Sequence, residues 1–313
     1  MSATGLLYRL LAPAGARGRL VVLIFHRVLP EPDALRPGEP DLVEFRRQMH
    51  FWARHFQVLP LLEAAQRLAE GRLPAAAACI TFDDGYADNL DVATPVLQAL
   101  GLPATLFVAS GFLDGGVMWN DLVIEALRQA PGTALDLTAL DLGMLHLNAP
   151  GGRAAAAAEL LQRIKRQPLV QRAALAEAVL AASGGVRPVL MLSTAQLRRM
   201  AERDWEIGAH TVRHPILDVL PDEQARQEIR DSKQHLEQLL GQPVRSFAYP
   251  NGRPGQDYAA RHVAMVREAG FSVAVSTRLA VARSGDDLLQ LPRFTPWDRQ
   301  PLAYAARVAR ALL

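Results

Sequence analysis

Apolar residues follow two rhythms along this chain. Continuous runs of about six, such as LVVLIF at 20–25, AACITF at 77–82 and ATLFVA at 104–109, have the length of strands buried on both faces. Between them, apolar positions recur every three or four residues. Asp41 can cap a helix in which Phe45, Met49, Trp52 and Phe56 follow at spacings of four, three and four. LLEAAQRLAEG predicts a second helix, ended by Gly71, and Thr94–Pro95 opens another that Gly101 stops. The pattern returns with WEIGAH at 205–210, VRSFAYP at 244–250, FSVAVS at 271–276 and LLQLPRFT at 288–295. Helices such as DEQARQEIRDSKQHLEQLLG at 222–241 separate these runs. Strands alternating with helices imply a parallel sheet. About seven repeats in one domain favour a barrel over a small doubly wound sheet.

One region breaks the rhythm. From about Asp114 to Leu192 there is no clear strand–helix alternation, only GGVMWND and then an alanine-rich helical stretch, RAAAAAELLQRIKRQ. This predicts a helical insertion, at about 114–192, on the rim of a single barrel domain.

Composition narrows the partners. Of 34 basic residues all but Lys165 and Lys233 are arginine, yet the formal net charge is only +2, so no nucleic-acid partner is expected. The single cysteine, Cys79, excludes a disulfide framework and a cysteine-built zinc site. LVVLIF is too short for an export signal core or a membrane span, and a cytoplasmic location is expected. The segment before it, LLYRLLAPAGA, can form a short helix with Leu6, Leu7, Leu10 and Leu11 on one side. That helix can pack on the domain or make peripheral contact with a membrane surface.

Two short stretches carry candidate chemistry. TFDDG, at 81–85, ends an apolar run with adjacent carboxylates, Asp83 and Asp84, which repel one another unless a nearby cation relieves them. GAHTVRH, at 208–214, follows another strand-like run and brings His210 and His214 within a turn of each other. Two imidazoles and a carboxylate suit zinc or a similar divalent metal and leave a position open for water. Either member of the acidic pair can be the ligand, with the other as the base beside it. Alone, Asp-Asp-Gly is a common turn. Both motifs at the C-terminal ends of parallel strands are less easily accidental, because ligands gather there in α/β folds.

TFDDG and HTVRH together resemble the first two motifs of the polysaccharide deacetylases, carbohydrate esterase family four. The resemblance covers roughly residues 20–112 and 193–298. It implies a distorted (β/α)7-type barrel, here with the insertion between the third-strand region and the second metal motif. It also implies hydrolysis of acetyl groups on a glycan with a divalent metal, usually zinc. Within that family the first Asp is the general base and the second binds the metal, which makes Asp83 the base and Asp84, His210 and His214 the ligands. FAYPNG, at 247–252, is similar to the third motif, whose tyrosine N–H helps hold the oxyanion; this falls on Tyr249. The family's usual arginine in that motif is replaced by Ala248, and LPRFTPW offers Arg293 from a late strand to orient Asp83 instead. The family's late histidine, the general acid, is absent too. LIFHRV places His26 at the end of the first strand, where family members acting on poly-N-acetylglucosamine supply the acid.

Trp119 and Asp121 in VMWND, and Trp297 after Arg293, are candidates for stacking on a sugar or binding its hydroxyls. The expected function is deacetylation of an N-acetylated glycan or glycan intermediate. The rival readings are another metal-dependent C–N hydrolase on the same barrel and a non-catalytic glycan-binding protein. A nucleotide enzyme is disfavoured, since neither phosphate-binding glycine loop occurs.

Overall fold

The computed structural model describes residues 3–148, 151–165, 167–203 and 205–313. The chain divides into two compact units. The larger comprises Met1–Glu31, Glu39–Leu113 and Leu192–Leu313, and the smaller Pro32–Gly38 and Asp114–Met191.

In the larger unit, seven parallel strands form a ring: β1 (Arg19–Phe25), β3 (Ala77–Phe82), β4 (Ala104–Val108), β7 (Trp205–Ala209), β8 (Ser246–Ala248), β9 (Val273–Leu279) and β11 (Leu291–Arg293). The short strand β2 (Gln57–Val58) lies parallel to β3, and β10 (Ala282–Arg283) runs antiparallel along β1. The ring closes where Phe294 donates to Val22 O at 2.7 Å and accepts from Ile24 N at 3.2 Å. This is a (β/α)7-type barrel, as the alternation predicts.

Strand side chains segregate by the two-residue period of the pleat. One set, including Val21, Leu23, Phe25, Ile80 and Phe82, shares a core with Phe45, Met49 and Trp52 of the helix Leu42–His55. Asp41 caps that helix as expected, accepting from Glu44 N at 2.9 Å. The alternate set, Leu20, Val22, Ala77, Cys79, Phe107, Ala248, Val275 and Leu291, comes from five parallel strands besides β1 and meets inside the ring. Gly208 is required there, because a Cβ would collide with the ring of Phe107. Cys79 is a free, buried interior residue.

Near the start of the chain, the helix Ala3–Leu11 buries Tyr8, whose hydroxyl donates to Ala305 O, and exposes Leu6, Leu7 and Leu10. No helix among the described residues is long and apolar enough to cross a membrane.

The smaller unit spans the expected helical insertion and is not helical throughout. Besides the helices Trp119–Gln129, Gly152–Lys165 and Leu169–Ala182, it contains an antiparallel hairpin of β5 (Ala134–Leu137) and β6 (Gly143–His146). Leu135, Leu137 and Leu145 turn inward onto Leu122, Ala126, Leu160, Ala176 and Val179. Pro32–Gly38, far upstream, belongs to this unit. It contributes buried Arg36, whose guanidinium binds Asp121 at 2.9 Å and Glu125 at 2.8 Å. Ala149, Pro150 and Arg166 of the predicted insertion lie outside the described residues.

Candidate metal centre and active site

Five strands deliver functional side chains at their C-terminal ends. His26 follows β1, Asp83 and Asp84 follow β3, His210 follows β7, Tyr249 follows β8, and Arg293 is the last residue of β11. Parallel strands in a closed ring bring these ends together, although Asp83 and Arg293, for example, are 210 positions apart in sequence.

His210, His214 and Asp84 each offer a ligand atom, all within 4.8 Å of one another. His210 Nε2 lies 3.5 Å from Asp84 Oδ1, and His214 Nε2 lies 3.6 Å from the same oxygen. The Nδ1 of His210 is 2.7 Å from Ala248 O, so that nitrogen carries the proton and the Nε2 lone pair faces the cluster. Burial lowers the His210 pKa to about 4, overriding the opposing pull of Asp83, and keeps the imidazole neutral as a ligand must be. The donor set, with one carboxylate and two neutral imidazoles, fits a divalent metal of the zinc type.

The loop carrying the histidines is held from behind. Glu228, buried in the helix Asp222–Leu240, accepts from Val212 N and Arg213 N, both at 2.9 Å, and from Arg213 Nε at 2.6 Å. Thr211 Oγ1 accepts from His214 N at 3.1 Å and donates to His210 O at 2.5 Å. The backbone at Asp84, Thr211, His214 and Asn251 lies at positive φ, between 54° and 80°. Left-handed conformations at such non-glycine residues cost about 1–3 kcal/mol each and persist where the surroundings enforce them.

Asp83 and Asp84 have unlike environments. Arg293, fully buried, grips Asp83 with Nη1 on Oδ1 and Nη2 on Oδ2, each at 2.7 Å. Its Nε donates to Ser276 O at 3.0 Å, fixing the fork. Burial works to raise the Asp83 pKa, but the adjacent guanidinium overrules it and holds the carboxyl well below its usual range. Asp83 is thus the ion-paired carboxylate and Asp84 the one facing both imidazoles. Burial also disfavours the charged form of His26, yet Asp84, Glu39 and Asp83 outweigh it and the imidazole pKa is raised. Asn89 Nδ2 holds His26 O at 2.9 Å, and Asp88, buried against Arg27, accepts from Val28 N at 3.3 Å. These neighbours anchor the turn that bears His26.

Other sequence candidates find different surroundings. The Tyr249 N–H donates to Val275 O at 3.2 Å in the sheet, and its hydroxyl donates to Leu289 O at 3.0 Å. That N–H therefore serves the strand ladder, and the next backbone donor is Asn251, since Pro250 has none. Asp121 is buried and its carboxylate binds Arg36 within the smaller unit. Trp119 packs in the same unit, with Arg172 5.1 Å above its ring. Trp297 is 57% exposed and lies beneath Arg307 at 4.8 Å, along a groove of the larger unit. Glu228 was not foreseeable: one acid in a strongly charged helix carries no signal of its inward direction.

A model of the polysaccharide deacetylase family matches residues 70–136 and 146–274, more than half the chain. YxkH of Bacillus subtilis (strain 168), named for the polysaccharide deacetylases, is 21% identical over 276 residues, covering 88% of this chain and 70% of its own. The fold is similar to that of a Streptococcus pyogenes deacetylase, PplD, solved with acetate. That likeness has a TM-score of 0.64 and 18% identity, over 95% of this chain and 99% of that one. IcaB from Ammonifex degensii superposes with a TM-score of 0.60 and 22% identity, over 96% and 98% of the two chains. The barrel accords with these matches, and the chain belongs to the polysaccharide deacetylase family.

Proposed function

We propose that this chain is a metal-dependent hydrolase that removes acetyl groups from an N-acetylated glycan. The observation that carries the reading is the division of labour within the acidic pair. Asp84 faces His210 and His214, while Asp83 is clamped by Arg293. Asp84, His210 and His214 would hold the metal, zinc by their chemistry, which when bound polarises the acetyl carbonyl and acidifies a water.

Asp83 is placed to take the proton of the attacking water. Its ion pair with Arg293 favours the ionised form, the one that can accept a proton. We assign proton delivery to the departing amine to His26, whose pKa is raised because Asp84, Glu39 and Asp83 outweigh the effect of burial. We assign oxyanion donation to the Asn251 N–H, because the Tyr249 N–H is engaged by Val275 O.

The test is an acetate-release screen of purified protein against chito-oligosaccharides, poly-N-acetylglucosamine fragments and acetylated lipid-linked sugars, with and without chelator. Chelator-sensitive, metal-restored acetate release supports the reading. Release from none of the three classes, in a metal-loaded protein, refutes it.

A further inference from the structure

A groove of about 590 Å³ lies on the larger unit, along the segment 278–286, the stretch 294–297 and the helix Pro301–Ala311. Arg278, Arg283, Arg307 and Arg310 line it, against a single lining carboxylate, Asp286. Asp286 is already committed, since its Oδ2 accepts from Arg283 N at 2.8 Å. Asp298 pairs with Arg307. The excess of positive charge extends onto the sheet. In the antiparallel pairing of β1 and β10, Arg283 stands directly opposite Arg19. Directly opposed residues of such a ladder project from the same face, and like charges there destabilise the pair. Burial lowers the pKa of Arg19, and Arg283 adds to the shift. A fold does not need this arrangement, and a bound anion would relieve it.

The groove also has an aromatic wall. Arg307 lies 4.8 Å from the ring centre of Trp297 and 4.3 Å from that of Phe294. Trp297 is nevertheless 57% exposed, so much of its ring is open to a partner. An open indole beside guanidinium forks combines a surface for stacking a flat apolar face with donors for a planar oxyanion. A sugar ring bearing a carboxylate or a phosphate has both features. We propose that this groove binds an anionic saccharide, separately from the acetyl-processing residues. The choice of a sugar-borne anion rests on the glycan reading of the active site. The groove's floor is close in sequence to that site, since Phe294 follows Arg293 and closes the barrel on β1.

The experiment is calorimetric titration of the full chain with three probes: oligogalacturonate for carboxylate, glucose 6-phosphate for phosphate, and a neutral chito-oligosaccharide. It is repeated with the double variant Arg283→Gln/Arg310→Gln and with Arg278→Gln alone. All three positions are exposed, so folding should survive, and loss of the Arg19–Arg283 repulsion should leave the melting temperature unchanged or raised. Binding of either anionic probe, weakened about tenfold or more in the double variant, is the expected result, because charge-assisted hydrogen bonds are lost. Chito-oligosaccharide affinity should not change. An anionic-probe affinity that is the same in native and variant proteins overturns the proposal. So does tighter binding of a DNA duplex of matched charge, which would mark a general polyanion surface. Groove-dependent binding in a protein that releases no acetate would sustain this inference while the functional reading fell.

Discussion

The guanidinium of Arg293 meets both carboxylate oxygens of Asp83 at 2.7 Å, across 210 residues of sequence and with neither side chain open to solvent. This fork fixes the plane of the carboxylate as well as its charge. Arg293→Met should leave a buried anion without its cation. The expected loss is about 3–5 kcal/mol of stability, read by denaturant unfolding. Arg293→Lys keeps the charge but not the fork, so it should recover much of the stability while acetate release stays reduced. Equal stability of native protein and the Met variant would show that the pair is not a structural member.

The two aspartates should fail differently. Asp83→Asn should retain bound metal and lose about a hundredfold to ten-thousandfold in rate, because the amide cannot accept the water's proton. Asp84→Asn, like His210→Ala, should lose metal first, as shown by elemental analysis after dialysis. Metal loss in the Asp83 variant and retention in the Asp84 variant would reverse the roles.

Histidine titration gives a direct check on the electrostatics. In metal-free protein, His210 should titrate near a pKa of about 4, since burial disfavours its imidazolium, whereas His26 should titrate above the ordinary 6.5. The signs oppose in stability as well. The depressed His210 takes up its proton more easily unfolded, so its contribution is present above 6.5 and is lost as pH falls through about 4. His26 contributes below 6.5 and loses its contribution as pH rises through its raised pKa. Proton NMR of the imidazole signals in native, His26→Ala and His210→Ala proteins assigns both. Two histidines titrating together near 6.5 would contradict this picture.

If His26 is the acid, His26→Ala should retain fold and metal while amide hydrolysis falls by about a hundredfold to ten-thousandfold. An activated aryl acetate, whose leaving group needs no proton, should suffer much less. Equal loss on both substrates would make His26 a packing residue.

Glu228 tests the support behind the metal ligands. Glu228→Ala strands the Val212 and Arg213 N–H groups and frees the turn that holds Thr211 and His214 at positive φ. Metal affinity should weaken about tenfold to a hundredfold, the usual effect of losing an outer partner, with all three ligands intact. A competition titration with a chromophoric chelator reads this, and unchanged affinity would confine Glu228 to helix packing.

Much of the barrel was legible because parallel strands, buried on both faces, are continuous apolar runs that stand out from helical spacing. The acidic pair and the histidines were legible because they end such runs, and Arg293 because it ends the last one. The hairpin of β5 and β6 was not. Its alternation is written in Leu, Ala and Asp, residues with little strand preference, and its turn holds no Asn-Gly or Asp-Gly. The Arg36–Asp121 pair was not legible either, because an aspartate in a first helical turn looks the same whether it meets solvent or a buried arginine supplied by a distant segment. The engagement of the Tyr249 N–H by Val275 depends on which strands are neighbours, which no local pattern encodes.

The closing seam has a consequence for how the enzyme is made. Synthesis runs from the N-terminus, so Asp84, His210 and His214 leave the ribosome before Arg293, and Phe294 must follow before β11 can dock on β1. A nascent chain therefore contains every proposed metal ligand while its acidic pair still lacks the guanidinium. Docking of β11 brings the guanidinium onto Asp83, so the clamp on the proposed base forms only after residue 293 has been made. A chain cut short before residue 293 would carry the ligands without the clamp on Asp83.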